Sequence, residues 1–175
     1  VGTANATYSG KFSSEIANDF NMASNGYLLF WCNNNGIYSK TLSKQWDVST
    51  TGSFPTPFTS GSLGSGQCGL YVSDDGSKML TYNPTTNNLF KITLSIAYNL
   101  STATISQTQS LSASSETSMV MSTDGTKLIY IDSSNNIVYK TLSSAWNLST
   151  LSLVATNILT DQTYLQLSMS RDGKS

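Results

Sequence analysis

The string KTLSSAWNLST at residues 140–150 is one of three similar strings in the chain. A near copy, KTLSKQWDVST, lies at residues 40–50, and a more divergent copy, ITLSIAYNLST, lies at residues 92–102. The large aromatic residues of the copies are separated by 52 and 48 positions and are Trp46, Tyr98 and Trp146. A polar string that recurs with one aromatic residue at a nearly constant interval indicates a protein built from repeated units.

A second motif lies upstream of each copy and recurs once more near the end of the sequence. It joins a polar turn to an apolar run, as in MSTDGTKLI at residues 121–129. Its glycines are separated by 50, 49 and 48 positions and are Gly26, Gly76, Gly125 and Gly173. Two motifs that keep the same order and a period of about 50 residues indicate propeller blades or paired helices.

The segments between the motifs favour strands. In the third unit we predict strands at residues 118–122, 127–132, 137–143 and 151–159. Asp124-Gly125 between the first two is a hairpin signal, because glycine adopts the positive φ that such a turn requires. The second strands, such as KLIYI, are apolar at successive positions, which indicates burial on both faces. Apolar runs this short exclude the paired helices.

We therefore predict an all-β chain, a β-propeller segment of four-stranded antiparallel blades that spans residues 1–175 as a single unit. The predicted blades occupy approximately residues 18–60, 67–112 and 117–160, with partial-blade strands at residues 6–14 and 164–175. Propellers usually close with 4–8 blades, so about three complete blades make an incomplete ring. We expect the remaining blades elsewhere in the polypeptide or in another chain.

Composition argues against several classes of function. Charged residues make up 11% of the chain, and the net charge is −1 without a basic run, which argues against nucleic-acid binding. No apolar stretch approaches the roughly 20 residues that a membrane span requires. The polarity comes from neutral Ser, Thr and Asn side chains, which suit an extracellular or virion surface.

The residues that usually carry catalysis are scarce. The chain contains no histidine, which removes nucleophilic triads and imidazole zinc sites. Its two glutamates, Glu15 and Glu116, have no acidic partner at a matching repeat position, whereas a glycosidase needs two carboxylates at one bond. We predict that the chain is not an enzyme and has no catalytic residue, cofactor or metal. Calcium binding by the recurring turn aspartates is the weaker alternative to a role in forming the turns, and these aspartates are Asp74, Asp75, Asp124 and Asp172.

The aromatic residue of each copy has two interpretations. As a wedge between blades, which we favour, Trp46 and Trp146 should be mostly buried. As sugar-stacking platforms, both indole rings would be open to solvent. We expect the residue after the aromatic, as in Asn99 and Asn147, to bond nearby backbone groups in a turn.

The sequence departs furthest from the repeat at SFPTPFTSGSLGSGQCG, residues 53–69. The candidate contact residues in this segment are Phe54, Phe58, Ser60 and Leu63. Binding on a rigid scaffold usually occurs where loops depart from it, so the segment could contact a receptor or a neighbouring chain. The alternative is a lengthened connection whose phenylalanines pack on the blade.

The chain has two cysteines, Cys32 and Cys68. We expect them at the end of one strand and the start of another, on the same face of the propeller. A disulfide between them is conceivable if their Cα atoms lie within about 7 Å. A pair of buried thiols is the favoured alternative.

The pattern S-x-D-G-[ST]-K-[LM], as in residues 122–128, resembles the blade motif of TolB-type propellers. The whole unit resembles propeller repeats in bacteriophage tail fibres, in other virion proteins and in some bacterial surface proteins. The first unit departs from the pattern because Asn25 precedes Gly26. The resemblance implies host attachment or fibre assembly at a virion surface or outside the cell, within a larger chain or oligomer.

The partners that this resemblance implies are a host-surface glycan or protein receptor and other virion or surface-structure chains. The alternative is a secreted or cell-surface bacterial adhesion module of the same architecture. A fragment of a carbohydrate-active enzyme is a third interpretation, which would need acidic pairs outside these units. No catalytic residue carries over from the resemblance.

Overall fold

The computed structural model describes residues 18–47, 57–61, 63, 66, 68–111, 118–132, 134, 136–158 and 167. In this part of the chain the strands form three antiparallel sheets that follow one another in sequence. No helix among the described residues is long and apolar enough to cross a membrane.

Each sheet is an up-and-down meander, called here a blade. Blade 1 contains β1 (Asp19–Met22), β2 (Leu28–Asn33) and β3 (Gly36–Thr41). Blade 2 contains β4 (Cys68–Val72), β5 (Lys78–Asn83), β6 (Asn88–Leu94) and β7 (Ala103–Ser110). Blade 3 contains β8 (Met119–Met121), β9 (Lys127–Ile131), β10 (Asn136–Leu142) and β11 (Leu151–Ile158). Single 3-10 turns at Leu100–Thr102 and Leu148–Thr150 precede β7 and β11.

The second strand of each blade lies in the interior because the blades pack face to face. In β5, Met79 packs in a cluster with Phe30 of blade 1, whereas Leu80 packs in a cluster with Leu128 of blade 3. Met79 and Leu80 are both fully buried. Alternate side chains of one strand therefore serve two interfaces, which explains the unbroken apolar runs in the sequence.

The first strands of successive blades contact each other, β1 with β4 and β4 with β8. The Leu70 N–H donates to Asp19 Oδ2 at 2.7 Å, and the Leu167 N–H donates to Ser118 Oγ at 3.1 Å. Asp19 and Ser118 occupy equivalent positions, so the same kind of link joins blade 1 to blade 2 and blade 3 to Leu167. Burial raises the pKa of the Asp19 carboxyl, and the hydrogen bond from Leu70 opposes that shift.

The two sequence motifs meet in space. The Trp146 N–H donates to the Gly125 carbonyl at 2.8 Å, and the indole ring lies over that glycine. A Cβ atom at Gly125 would lie 2.1 Å from the ring, and the glycine has a φ of 70°. The same arrangement joins Tyr98 to Gly76. The glycine turn and the aromatic corner therefore recur together because they contact each other.

Hydrogen bonds explain the polar residues of the turn. The Asp124 carboxylate accepts from Ser122 Oγ at 2.5 Å and from the Thr126 N–H at 3.0 Å. These donors hold the pKa of Asp124 below its usual range. In blade 1, Asn25 accepts from the Tyr27 N–H at 2.9 Å, so its amide oxygen takes the place of the carboxylate.

The asparagine after the aromatic residue stabilises the corner. The Asn147 Oδ1 accepts from the Ser149 N–H at 3.3 Å, and the Asn99 Oδ1 accepts from the Ser101 N–H at 3.1 Å. Each asparagine thereby caps the 3-10 turn that leads to the outermost strand. This local bonding is the turn-forming role expected from the sequence.

Blade 1 differs from the other two at its outer edge. In blades 2 and 3 the third strand pairs with a fourth along seven positions. Among the described residues of blade 1, the place of the fourth strand holds a single bridge, between Ile37 and Phe58. The predicted all-β fold of antiparallel blades in an unclosed ring is confirmed, with this departure in the first blade.

Candidate functional site: the cleft between blades 1 and 2

A cleft of about 690 Å³ lies between blades 1 and 2. It is lined by β3, by residues 57–59 and by the corner of blade 2 at residues 97–101. Sites for small ligands and peptides are concave and combine apolar walls with a few polar groups. We take this cleft as the candidate site, because its volume and lining match that description.

The wall from blade 1 is formed by short or apolar side chains. Leu28, Ser39 and Thr41 contribute from neighbouring strands, and Phe58 lies at the outer end. The Phe58 N–H donates to the Ile37 carbonyl at 2.7 Å, and the Ile37 N–H donates to the Phe58 carbonyl at 3.1 Å. This pair of bonds fixes Phe58 at the edge of the blade, with its ring half-buried.

The wall from blade 2 is centred on Tyr98. Its ring lies over Gly76 and 6.4 Å from the ring of Phe30 in blade 1. Its hydroxyl donates to the Asp74 carbonyl and lies 3.2 Å from Ser24 Oγ. Tyr98 is therefore held at both ends, and it forms a rigid side of the cleft.

No charged residue lines the cleft among the described residues. Its polar groups are hydroxyls and one amide, from Ser39, Thr41, Thr59, Ser101 and Asn99. The described lining therefore offers a ligand hydrogen bonds and no opposite charge. The cleft suits an uncharged ligand with many hydrogen-bonding groups.

The equivalent gap between blades 2 and 3 is bridged by long side chains. The Lys91 ammonium donates to the Trp146 carbonyl at 2.9 Å, and burial lowers the Lys91 pKa. Gln107 of β7 accepts from the Leu148 N–H at 2.8 Å and donates to Asn147 Oδ1 at 3.2 Å. Ser39 of blade 1 occupies the position that Lys91 has in blade 2, as the strand registers show.

The three predicted contact residues that the structure describes do not form one surface. Phe58 lines the cleft, whereas Leu63 is buried, with 1% of its surface exposed. Ser60 is half-buried, and its carbonyl accepts from the Leu63 N–H at 2.9 Å. Phe54 lies outside the described residues.

The repeated aromatic residues differ in exposure. Trp146 and Tyr98 are half-buried, and the Trp146 ring lies 6.1 Å from that of Tyr71 in the preceding blade. Trp46 is 58% exposed. The expectation that Trp46 is mostly buried is therefore wrong, because no described residue of a preceding blade covers it. Gly173 lies outside the described residues.

Cys32 is buried, and its thiol donates to the Asp19 carbonyl oxygen at 3.8 Å. The side chain of Cys68 lies outside the described part of the chain. The choice between a disulfide and two thiols therefore stays a prediction.

The turn aspartates are occupied within their own turns. Asp75 accepts from Ser73 Oγ at 2.6 Å and from the Ser77 N–H at 3.0 Å, and these bonds lower its pKa. Within the described ranges, no group of three or more His, Cys, Asp or Glu side chains could hold a metal ion. Asp172 lies outside those ranges. Turn formation is sufficient to account for Asp75 and Asp124.

Sequence reasoning missed most of the cleft. Ser39, Thr41 and Tyr98 were not predicted as neighbours, because they belong to different units. A comparison of the third strands, position by position, would have shown that Lys91 is replaced by Ser39 in blade 1. This replacement of lysine by serine indicates that the interface between blades 1 and 2 lacks the lysine bridge.

The blades and their inner-strand contacts define a protein of the β-propeller class, and solved structures agree. A chain in the crystal structure of the mitotic checkpoint complex is similar, with a TM-score of 0.61, 15% identity, and coverage of 90% of this chain and 44% of that one. A candidate 6-phosphogluconolactonase of Bacteroides fragilis NCTC 9343 has a TM-score of 0.54, 12% identity, and coverage of 78% and 37%.

The periplasmic gluconolactonase of Pseudomonas aeruginosa has a TM-score of 0.56, 10% identity, and coverage of 79% of this chain and 39% of that one. The chain thus spans less than half the length of each of these structures. No protein-family model and no curated protein sequence matches the chain.

Two of these neighbours contradict the prediction that the chain is not an enzyme. The same fold is found in a gluconolactonase and in a candidate 6-phosphogluconolactonase. The inference from missing histidines and acidic pairs was wrong, because it considered only a few catalytic groups within three blades. None of the structures named above is a virion protein, so the propeller part of the resemblance holds without the tail-fibre part.

Proposed function

We propose that the chain is the ligand-recognition part of a larger β-propeller, with the cleft between blades 1 and 2 as its binding site. The observation that carries the proposal is the uncharged cleft of about 690 Å³. The gap at the same place between blades 2 and 3 is bridged by Lys91 and Gln107. Ser39 is too short to bridge the blades as Lys91 does, which leaves room for a ligand on a rigid scaffold.

The chemistry of the lining selects the ligand. The side-chain hydroxyls of Ser39, Thr41 and Thr59 face a cleft that also contains the rings of Phe58 and Tyr98. Neutral hydroxyls exchange hydrogen bonds with hydroxyl or amide groups, and aromatic faces cover apolar patches. Sugars and uncharged peptides present both features.

We place this module at the surface of a virion or of a cell, where it attaches to a host glycan or protein or joins a fibre. Support comes from the small share of charged residues in the chain, 11%, and from the resemblance of its repeat to virion propellers. The alternative is that the chain belongs to a secreted or cell-surface bacterial adhesion module. A fibre shaft elsewhere in the full polypeptide favours the first, and a cell-wall anchor favours the second.

Hydrolysis of a sugar lactone is a second candidate function, because two structural neighbours are a gluconolactonase and a candidate 6-phosphogluconolactonase. The described lining of the cleft contains no carboxylate, so the water-activating group would come from another part of the propeller. Release of acid from glucono-δ-lactone, above the uncatalysed rate, would support this activity. A rate of acid release equal to that in buffer alone would exclude this activity.

A matched pair of variants tests the binding site. Ser39→Lys introduces at blade 1 the side chain that bridges blades 2 and 3, and its ammonium should reach the corner carbonyl at Tyr98. Lys91→Ser makes the reverse change in blade 2. The probes are an array of neutral oligosaccharides and a library of displayed decapeptides.

We expect the unaltered protein to bind members of at least one probe set. Ser39→Lys should abolish that binding, and Lys91→Ser should leave it unchanged. Retained binding by a folded Ser39→Lys protein would show that the cleft is not the site.

A further inference from the structure

The corner of blade 1 at Trp46 has the geometry of the other two corners but is open on one side. The φ angles of Trp46, Tyr98 and Trp146 are 62°, 62° and 59°, so the three backbones turn in the same way. The Trp46 N–H donates to the Gly26 carbonyl at 2.7 Å, and the ring lies over that glycine. Trp46 is nevertheless 58% exposed, whereas Tyr98 and Trp146 are half-buried. Its own blade therefore positions the ring, and the side away from Gly26 is uncovered.

The interface between blades 2 and 3 shows what covers this side of a corner tryptophan. The Lys78 ammonium lies 5.4 Å from the centre of the Trp146 ring, and the Tyr71 ring lies 6.1 Å from that ring. The Lys91 ammonium donates to the Trp146 carbonyl at 2.9 Å. All three side chains come from the preceding blade, one from each of its first three strands. A corner tryptophan thus offers two groups that attract a cation, its ring face and its carbonyl.

The tyrosine corner of blade 2 contacts a different set of side chains. Blade 1, which precedes it, has Leu28 and Ser39 where blade 2 has its two lysines. The Tyr98 hydroxyl itself reaches the preceding blade, 3.2 Å from Ser24 Oγ. An indole has no hydroxyl, and its face attracts cations more strongly than other aromatic rings do. In these two interfaces, tryptophan therefore accompanies lysines and tyrosine accompanies short or apolar side chains.

We propose that the open side of Trp46 is the docking site of a further propeller blade that carries lysines at the positions of Lys78 and Lys91. One ammonium would lie over the Trp46 ring. The other would bond the Trp46 carbonyl, to which no group among the described residues donates. The site would thereby repeat the interface that already joins blades 2 and 3.

The extent of the chain supports a blade as the occupant. The 175 residues span less than half the length of the similar solved propeller structures, and propellers usually close with 4–8 blades. A sugar stacked on the ring is the other occupant that an exposed tryptophan permits. A blade is favoured because it uses the ring and the carbonyl together, as in blade 3. The docking site shares only the larger propeller with the proposed function and is independent of the cleft.

A photoreactive residue at the corner identifies the occupant. In the full polypeptide, p-benzoylphenylalanine replaces Trp46, and mass spectrometry identifies the segment to which illumination joins it. The same residue in place of Trp146 is the matched control and should join to residues 71–78 of blade 2. At position 46 we expect a cross-link to the first two strands of a blade outside the described residues. The second of those strands should begin with a lysine, as β5 does.

Hydroxyl-radical footprinting tests the same contact without a substitution. In the unaltered full polypeptide, Trp46 should be oxidised at a rate close to that of Trp146, because a blade covers both rings. An open ring would be oxidised several times faster, in proportion to its exposed surface.

The lysine requirement has its own test. Replacing the cross-linked lysine by methionine keeps the length of the side chain and removes its charge. The change should lower Tm by about 2–4 °C, since it removes a cation–π contact. Lys78→Met is the matched variant in the described interface and should give a comparable shift. No shift at the cross-linked lysine would overturn the lysine pair.

The remaining outcomes separate the occupants. Trp46 oxidised much faster than Trp146 in the full polypeptide, or a cross-link to a segment that is not a blade, would overturn the docking site. Protection of Trp46 that appears only when neutral oligosaccharides are added would assign the ring to a sugar instead. None of these results affects the comparison of Ser39→Lys with Lys91→Ser, so failure here leaves the proposed function standing.

Discussion

The two interfaces between blades have the same backbone plan and different closures. Between blades 2 and 3, the Lys78 ammonium lies 5.4 Å from the centre of the Trp146 ring and the Lys91 ammonium bonds the Trp146 carbonyl. The equivalent positions in blade 1 are Leu28 and Ser39, and both line the cleft. Two side chains that are long in one blade and short or apolar in the other thus distinguish a bridged interface from an open one.

The outer strand contributes the rest of the closure. Gln107 of β7 bonds both the backbone of Leu148 and the side chain of Asn147 in the next blade. In the described part of blade 1, only Phe58 pairs with the third strand, at Ile37. The comparison teaches that the features shared by all units specify the blade, and that residues that differ between units at equivalent positions decide how neighbouring blades are joined.

The largest expected effect concerns the repeated tryptophans. Trp146→Ala should lower the free energy of unfolding by about 2–3 kcal/mol, less than a fully buried tryptophan would cost, because the ring is half-buried. Trp46→Ala should cost less than about 1 kcal/mol, because 58% of its surface is exposed. Urea unfolding of the two variants measures the difference. Equal losses of unfolding free energy in the two variants would mean that the contact of the Trp146 ring with the preceding blade adds nothing to stability.

A smaller effect is expected at the bridging glutamine. Gln107→Ala removes two hydrogen bonds and leaves the Leu148 N–H without its partner, at a cost of about 1–2 kcal/mol in unfolding free energy. Gln109→Ala is the control, since its amide donates to the neighbouring Ser110 carbonyl at 3.2 Å and, among the described residues, does not bridge to the next blade. Thermal unfolding of both variants provides the measurement. A Gln107→Ala protein as stable as the control would show that the bridge is not needed.

The smallest expected effect is a pH dependence of the turns. The pKa values of Asp75 and Asp124 lie below the ordinary value of 3.8 because neighbouring hydroxyls and N–H groups donate to the carboxylates. The stabilisation that the two ionised carboxylates give to the folded state is therefore complete above about pH 5. It is lost as the pH falls toward their pKa values in the folded protein. The loss should stay below about 1 kcal/mol per turn, since both carboxylates are mostly solvated.

Blade 1 supplies the control for this pH dependence, because Asn25 in its turn does not titrate. Asp75→Asn with Asp124→Asn should give a shallower loss of stability between pH 5 and pH 2 than the unaltered protein. Asp19 acts with the opposite sign, since burial raises its pKa and its ionisation costs stability. Both proteins contain Asp19, so its contribution cancels. Identical urea midpoints across this range would contradict the assignment.

Much of the fold was predictable because its signals are local. The Asp-Gly turns, the short apolar runs and the asparagine that caps each corner depend on residues a few positions apart. The contact between Gly125 and Trp146 was not predicted, although both residues were identified as repeat positions. A periodic sequence shows that two motifs recur together, and only coordinates show that they touch.

The sequence by itself determined the blade: its period, its strands, its turn glycines and the aromatic corner, all encoded by neighbouring residues and repeated along the chain. Only the tertiary structure decided which interface closes and which remains a cleft. That outcome depends on how far a side chain of one blade reaches toward the next, as Lys91 does and Ser39 cannot. Such reach joins residues about fifty positions apart in the sequence, and no local pattern specifies it.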